Sequence, residues 1–115
     1  MNGYIAYLEE KIKELQAEEE LLIAGGRKDE ANFVRIKSNI CDIGKTVYNV
    51  HAKTKQGAAL REEYRKQLDR FETGWGASLE KAREFGDVEK VVIEEAKLEM
   101  LQMLRAKFEE LEAGE

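Results

Sequence analysis

An apolar residue recurs every three or four positions through each long segment of this chain, and no proline interrupts the pattern. Ile5, Leu8, Ile12, Leu15 and Leu22 keep that step, as do Phe33, Ile36, Ile40, Ile43, Val47 and Val50. An α-helix turns about 100° per residue, so this spacing gathers the apolar side chains into a stripe that another helix must cover. The chain therefore reads as all-α, an antiparallel up-down-up-down four-helix bundle. Its 115 residues match the size of one core, so residues 1–115 form a single domain in this reading.

Glycines punctuate the stripes. The first helix spans about Tyr4 to Ala24, where Gly25 and Gly26 supply the left-handed residue that ends many helices. The second starts within Arg27–Glu30, with Asp29 as its expected N-cap, and reaches about His51. Its apolar face is wide, because Val34, Cys41 and Tyr48 form a second ridge beside the Phe33–Val50 ridge, and such a face needs more than one neighbour. Lys37, Gly44 and His51 run between the ridges, and Gly44 marks a close backbone approach. His51 to Gly57 reads as a turn, although the spacing continues in phase to Arg61 and Tyr64, so one helix of more than about 40 residues is the alternative. The third helix carries Leu60, Tyr64, Leu68 and Phe71, then Leu79, Ala82 and Phe85, and is expected to bend or break near Gly74–Gly76. Gly86 stops it and Asp87 caps the last helix, which runs from Val88 to about Ala113. That helix places Ile93, Ala96, Met100, Met103, Leu104, Phe108 and Leu111 on its stripe and leaves Val91 and Leu98 off it. Val91 and Leu98, with Val34 and Tyr48 of the second helix, are the expected oligomer or partner surface.

Charge is unevenly distributed. Residues 1–34 hold 4 basic and 8 acidic side chains, residues 35–70 hold 9 and 4, and residues 71–115 hold 6 and 12. Acidic and basic helices lying side by side would neutralise one another. The alternative use of the basic middle is phosphate binding by Lys53, Lys55, Arg61, Arg65 and Lys66, which would make the chain a nucleic-acid-associated accessory protein. Against this stand the net acidity of −5, aromatics at core spacing and the lack of a helix-turn-helix signature. Glu19 interrupts the first stripe between Leu15 and Leu22, and folding the first two helices about Gly25-Gly26 brings it within diagonal reach of Lys37 as an interior pair that would fix register.

The residues exclude several chemistries. A carboxylate-bridged dimetal site needs Glu-x-x-His pairs, and His51, the single histidine, has Tyr48 three places before it. Cys41, the single cysteine, lies about 15 Å along the helix from His51, too far for a nucleophile and base. Gly25-Gly26-Arg27-Lys28 lacks the spacing and Lys-Ser/Thr ending of a phosphate loop. Trp75, between glycines, reads as a core indole at a bend rather than a stacking platform. No catalytic residue, cofactor or metal is expected. The opening Met1-Asn2-Gly3-Tyr4 has neither the basic start nor the apolar run of a signal, and no uncharged stretch approaches a membrane span, so a cytoplasmic address without membrane contact is expected. The functional expectation is a non-catalytic protein–protein interaction or structural module, self-associating as a homodimer.

Overall fold

The computed structural model describes residues 3–113, which are helical apart from three short connections. Met1 and Asn2, on which the expected absence of a signal partly rests, lie outside the described residues. Helices α1 (Gly3–Ala24), α2 (Lys28–Ala52), α3 (Gly57–Glu84) and α4 (Val88–Phe108) pack as a bundle, and α4 runs on into a π-helical turn over Glu109–Ala113. None of the described helices is long and apolar enough to cross a membrane.

Both glycine stops do what their chemistry requires. Gly26 has φ +78°, its N–H bonds the Ile23 carbonyl at 3.0 Å, and the Arg27 N–H reaches back to the Leu22 carbonyl at 2.8 Å. Gly86 repeats this closure at φ +67°, with Gly86 N–H on Arg83 at 3.2 Å and Asp87 N–H on Ala82 at 2.9 Å. The Asp87 carboxylate then caps α4 by accepting from the Lys90 N–H at 3.1 Å. Asp29 does not cap α2, because the helix starts at Lys28, two residues earlier than a cap at Asp29 would set it. Arg27 holds the cap position, its side chain bonded to Glu30 rather than capping the backbone, and Asp29 and Glu30 sit in the first turn, where the positive end of the helix dipole favours them. The segment between α2 and α3 is a turn, which rules out the single long helix.

Helix α3 continues as one helix through Gly74 and Gly76, so of the bend or break expected there the break does not occur. Each glycine weakens a helix by about 1 kcal/mol, but Phe71 stacks on Trp75 across the first of them, with centroids 5.2 Å apart and planes at 16°, and Leu79 and Ala82 bury beyond the second. The indole is half-buried, with Lys97 Nζ 5.9 Å from its centroid.

One core joins all four helices, but it sits toward one end. Tyr4 of α1, Tyr48 of α2, Tyr64 of α3 and Phe108 of α4 meet there with every pair of ring centroids between 4.8 and 6.4 Å apart. Leu8, Leu68, Leu101, Leu104 and Cys41 are fully buried with Tyr4, Tyr64 and Phe108. Tyr4 OH and Tyr64 OH lie 2.7 Å apart, and Tyr64 OH donates to the Gly44 carbonyl at 3.1 Å. A phenol has one proton, so Tyr64 receives its second bond from Tyr4. Gly44 is the close approach read from the sequence: a Cβ there would stand 2.9 Å from Leu104 Cδ1 and 3.2 Å from Tyr64 OH.

The ridges of α2 exchange ranks relative to the sequence reading. Ala31, Val34, Ser38, Cys41, Gly44 and Tyr48 form the buried line with Ile40, whereas Phe33, Ile36, Ile43 and Val47 are half-buried and Val50 is exposed. Helix α2 packs against α1, α3 and α4, which meets the need for several neighbours. Charge is matched across helices as well. Arg35 bonds Glu19 at 2.9 Å, Arg65 forms a fork on Glu109 at 2.7 and 2.9 Å, and Arg105 bridges Asp69 and Glu72 at 3.0 and 2.8 Å. The body is flattened, 43 × 35 × 21 Å, with a radius of gyration of 15.4 Å against the roughly 13 Å of a close-packed domain near this length.

Candidate functional site

The end opposite the aromatic knot is where the molecule leaves apolar surface uncovered. Asp29, Asn32 and Phe33 from the start of α2 line one cavity with Glu89 and Ile93 from the start of α4, so the α1–α2 and α3–α4 turns lie at the same end. Leu21, Phe85 and Val88 around these turns are 75%, 78% and 74% exposed, and Ile23 and Val92 are exposed as well. Of the large apolar side chains exposed among the described residues, only Val50 lies elsewhere. The sequence spacing placed Phe85 on the core stripe. The helix ends at Glu84, so Phe85 is the cap residue and turns outward with the chain reversal.

A groove between α2 and α4 leads away from this end. Its first part is the cavity just described, and its second is lined by Phe33, Lys37, Val92, Glu95, Ala96 and Glu99, so Phe33 belongs to both. The floor is apolar and the rim carries four carboxylates, Asp29, Glu89, Glu95 and Glu99, against one ammonium, Lys37. Glu95 is paired with Arg83 at 3.5 Å. Among the described residues, Asp29, Glu89 and Glu99 have no ion-pair partner. The neighbouring Glu94 is 4% exposed, accepts from Lys97 at 3.1 Å through Oε1, and has Oε2 buried without a hydrogen bond.

The residues singled out in the sequence are scattered. Val34 and Tyr48 are buried, at 7% exposure, in the chain's own core and present nothing to a partner; Tyr48 OH donates to Glu112 at 3.2 Å. Val91 and Leu98 are half-buried, and Leu98 packs on the core. Glu94 and Leu101 are buried beside Met100, Leu104 and Phe108 of the expected stripe, which widens the face that α4 turns inward. Glu19 pairs with Arg35, which stands 53% exposed, so the register pair is a rim contact rather than an interior Glu19–Lys37 bridge; Lys37 lines the groove instead. Of the basic set, Lys53 and Lys66 are exposed and Lys55 and Arg61 half-buried. Arg65 is engaged: its bond to Glu109 holds the guanidinium more firmly protonated and pulls the Glu109 carboxyl below its usual range, and Arg65 lies 5.8 Å from the Phe108 centroid.

Three titratable groups of the core, Tyr4, Tyr64 and Cys41, are held in their neutral forms. Burial, followed by the Tyr64 phenol at hydrogen-bond distance, pushes the Tyr4 phenol far up, and burial does the same to Tyr64. Burial pushes the Cys41 thiol up to about 11, so at neutral pH it is a packed thiol rather than a nucleophile. Among the described residues, no three His, Cys, Asp or Glu side chains stand where they would hold a metal ion.

The signal for the apolar end was present in the sequence. Leu21, Ile23, Phe85 and Val88 flank the two glycine turns, and hydrophobic residues at turns are the ones a bundle core does not reach. Compared with protein-family models, curated proteins and solved structures, the chain matches none.

Proposed function

We propose that this chain is a non-catalytic interaction module that binds a protein through the turn end of the bundle. The observation that carries the reading is the gathering of Leu21, Ile23, Phe85, Val88 and Val92 at one end while the aromatic knot closes the other. Moving a Val, Leu, Ile or Phe side chain fully out of water is worth about 1.5–3 kcal/mol, so covering several of these part-exposed side chains supplies a gross driving force of several kcal/mol against the cost of association. A second copy of the chain, as in the homodimer expected from the sequence, and a different protein would both satisfy this reading. The cytoplasmic address belongs to the same proposal. The engagement of Arg65 by Glu109 weighs against the nucleic-acid alternative, since it occupies the guanidinium at the centre of the basic set.

The test is a photocrosslinking amino acid placed at Phe85 in cells that express the protein, with Asn49 as the control position. The expected result is a discrete adduct from position 85 and none from position 49, and its mass tells a second copy from another protein. No adduct at position 85 overturns the reading.

A further inference from the structure

We infer that the α2–α4 groove is a docking site for a basic amphipathic helix of another protein; this rests on the interaction-module reading and names its partner class. Three features converge. The floor, built from Phe33, Val92, Ile93 and Ala96, is apolar and lies between two helices, the geometry in which a third helix lays its own apolar stripe. From Asp29 to Lys37 along α2, and from Glu89 to Glu99 along α4, the groove runs about 12–15 Å, two to three turns, enough for anchors at i, i+3 or i+4, and i+7. The α4 rim carries Glu89, Glu95 and Glu99, of which Glu95 is shared with Arg83, and the α2 rim carries Asp29 and Lys37, so lysines or arginines flanking the incoming stripe would meet carboxylates chiefly along α4 and Asp29 at the mouth.

Charge also decides against a second copy. The two segments that form this end, residues 18–34 and 80–99, hold 12 acidic and 6 basic side chains, while the rest of the chain holds 12 and 13. The net negative charge of the molecule is therefore concentrated at the apolar end, and pairing two such ends would set like charges against each other around the contact. A basic partner gains attraction from the same arrangement and associates faster at low salt.

The probe is a fluorescein-labelled helix of Leu and Lys, about five turns long, followed by anisotropy as the full-length protein is titrated in. The expected result is saturable binding that weakens as salt rises and that falls about tenfold or more in the Glu89→Gln, Glu95→Gln, Glu99→Gln triple variant. Val92→Lys, at an exposed position that leaves the core intact, weakens it similarly, whereas Val50→Lys at the opposite end leaves it unchanged; circular dichroism of each variant checks the fold. Equal binding of a Leu/Glu helix, no binding of the Leu/Lys helix, or binding indifferent to both groove variants overturns the proposal. An adduct at Phe85 with twice the mass of the chain overturns it too while leaving the interaction-module reading standing, and no adduct at Phe85 removes the reading beneath it.

Discussion

Replacing Tyr64 with Phe removes one oxygen from a chain of two buried hydrogen bonds, and the direction of those bonds sets the size of the loss. Tyr64 OH donates to the Gly44 carbonyl at 3.1 Å and receives from Tyr4 OH at 2.7 Å. Without it, the Gly44 carbonyl loses one bond, about 1 kcal/mol net, and the Tyr4 hydroxyl, fully buried, becomes a donor with no acceptor, a further penalty of about 1–3 kcal/mol. Tyr64→Phe should therefore destabilise by about 2–4 kcal/mol. Tyr4→Phe removes only the donor, leaves Tyr64 bonded to Gly44, and should cost about 1 kcal/mol. The double variant has no orphaned donor, so it should lose about 2 kcal/mol and fall short of the sum of the singles. Urea unfolding followed by far-ultraviolet circular dichroism measures all three, and at roughly 4 °C per kcal/mol thermal midpoints should separate the two single variants clearly. If Tyr4→Phe costs as much as Tyr64→Phe, or the two losses simply add, the directed chain of hydroxyls is wrong.

Other substitutions and conditions probe the rest of the fold. Gly44→Ala should destabilise by about 1 kcal/mol, since its Cβ meets Leu104 and Tyr64 and overpacking outweighs the gain in helix propensity; Gly74→Ala, with nothing within 4 Å, should stabilise by a similar amount, and chemical denaturation showing the same sign for both would refute this account. Stability should fall as pH rises above about 9. The unfolded chain releases the Cys41 proton near 9.0 and the tyrosine protons near 10.0, while burial keeps these groups protonated in the fold, Cys41 to about 11 and Tyr4 and Tyr64 beyond it; urea midpoints that stay level from about pH 8 to 11 would contradict that. Asp87→Ala should cost about 1 kcal/mol through the lost cap on Lys90 N–H, and Asp29→Ala much less, because Asp29 caps nothing; thermal melts of the pair test the assignment.

What could be read in advance depended on how local its cause was. The stops at Gly26 and Gly86 and the cap at Asp87 follow from one residue and its immediate neighbours, and they stand where the sequence puts them. Gly44 was legible for the same reason, as a residue whose cost within a helix demands a close neighbour. The α2 face was not. Its more hydrophobic ridge, Phe33 to Val47, is half-buried except at Ile40, and the line that enters the core includes Ala31, Ser38 and Gly44, whose small side chains let the other helices approach. Hydrophobicity ranks ridges by area, whereas packing selects the ridge that lets helices come close. The same exchange put Val34 and Tyr48 inside, and in α4 Glu94 and Leu101 join the expected Met100, Leu104 and Phe108 in the core while Ile93 and Ala96 stay half-buried.

Periodicity and punctuation thus determine on their own that this chain makes four helices joined by short turns around one core, because helix stripes and left-handed glycines act within a few residues. The tertiary structure alone decides which stripe faces inward, which end of the bundle closes, and where acidic and apolar side chains come together. Those outcomes hang on residues far apart in the chain, such as Tyr4 with Tyr64 and Phe33 with Ile93, whose meeting no local pattern encodes.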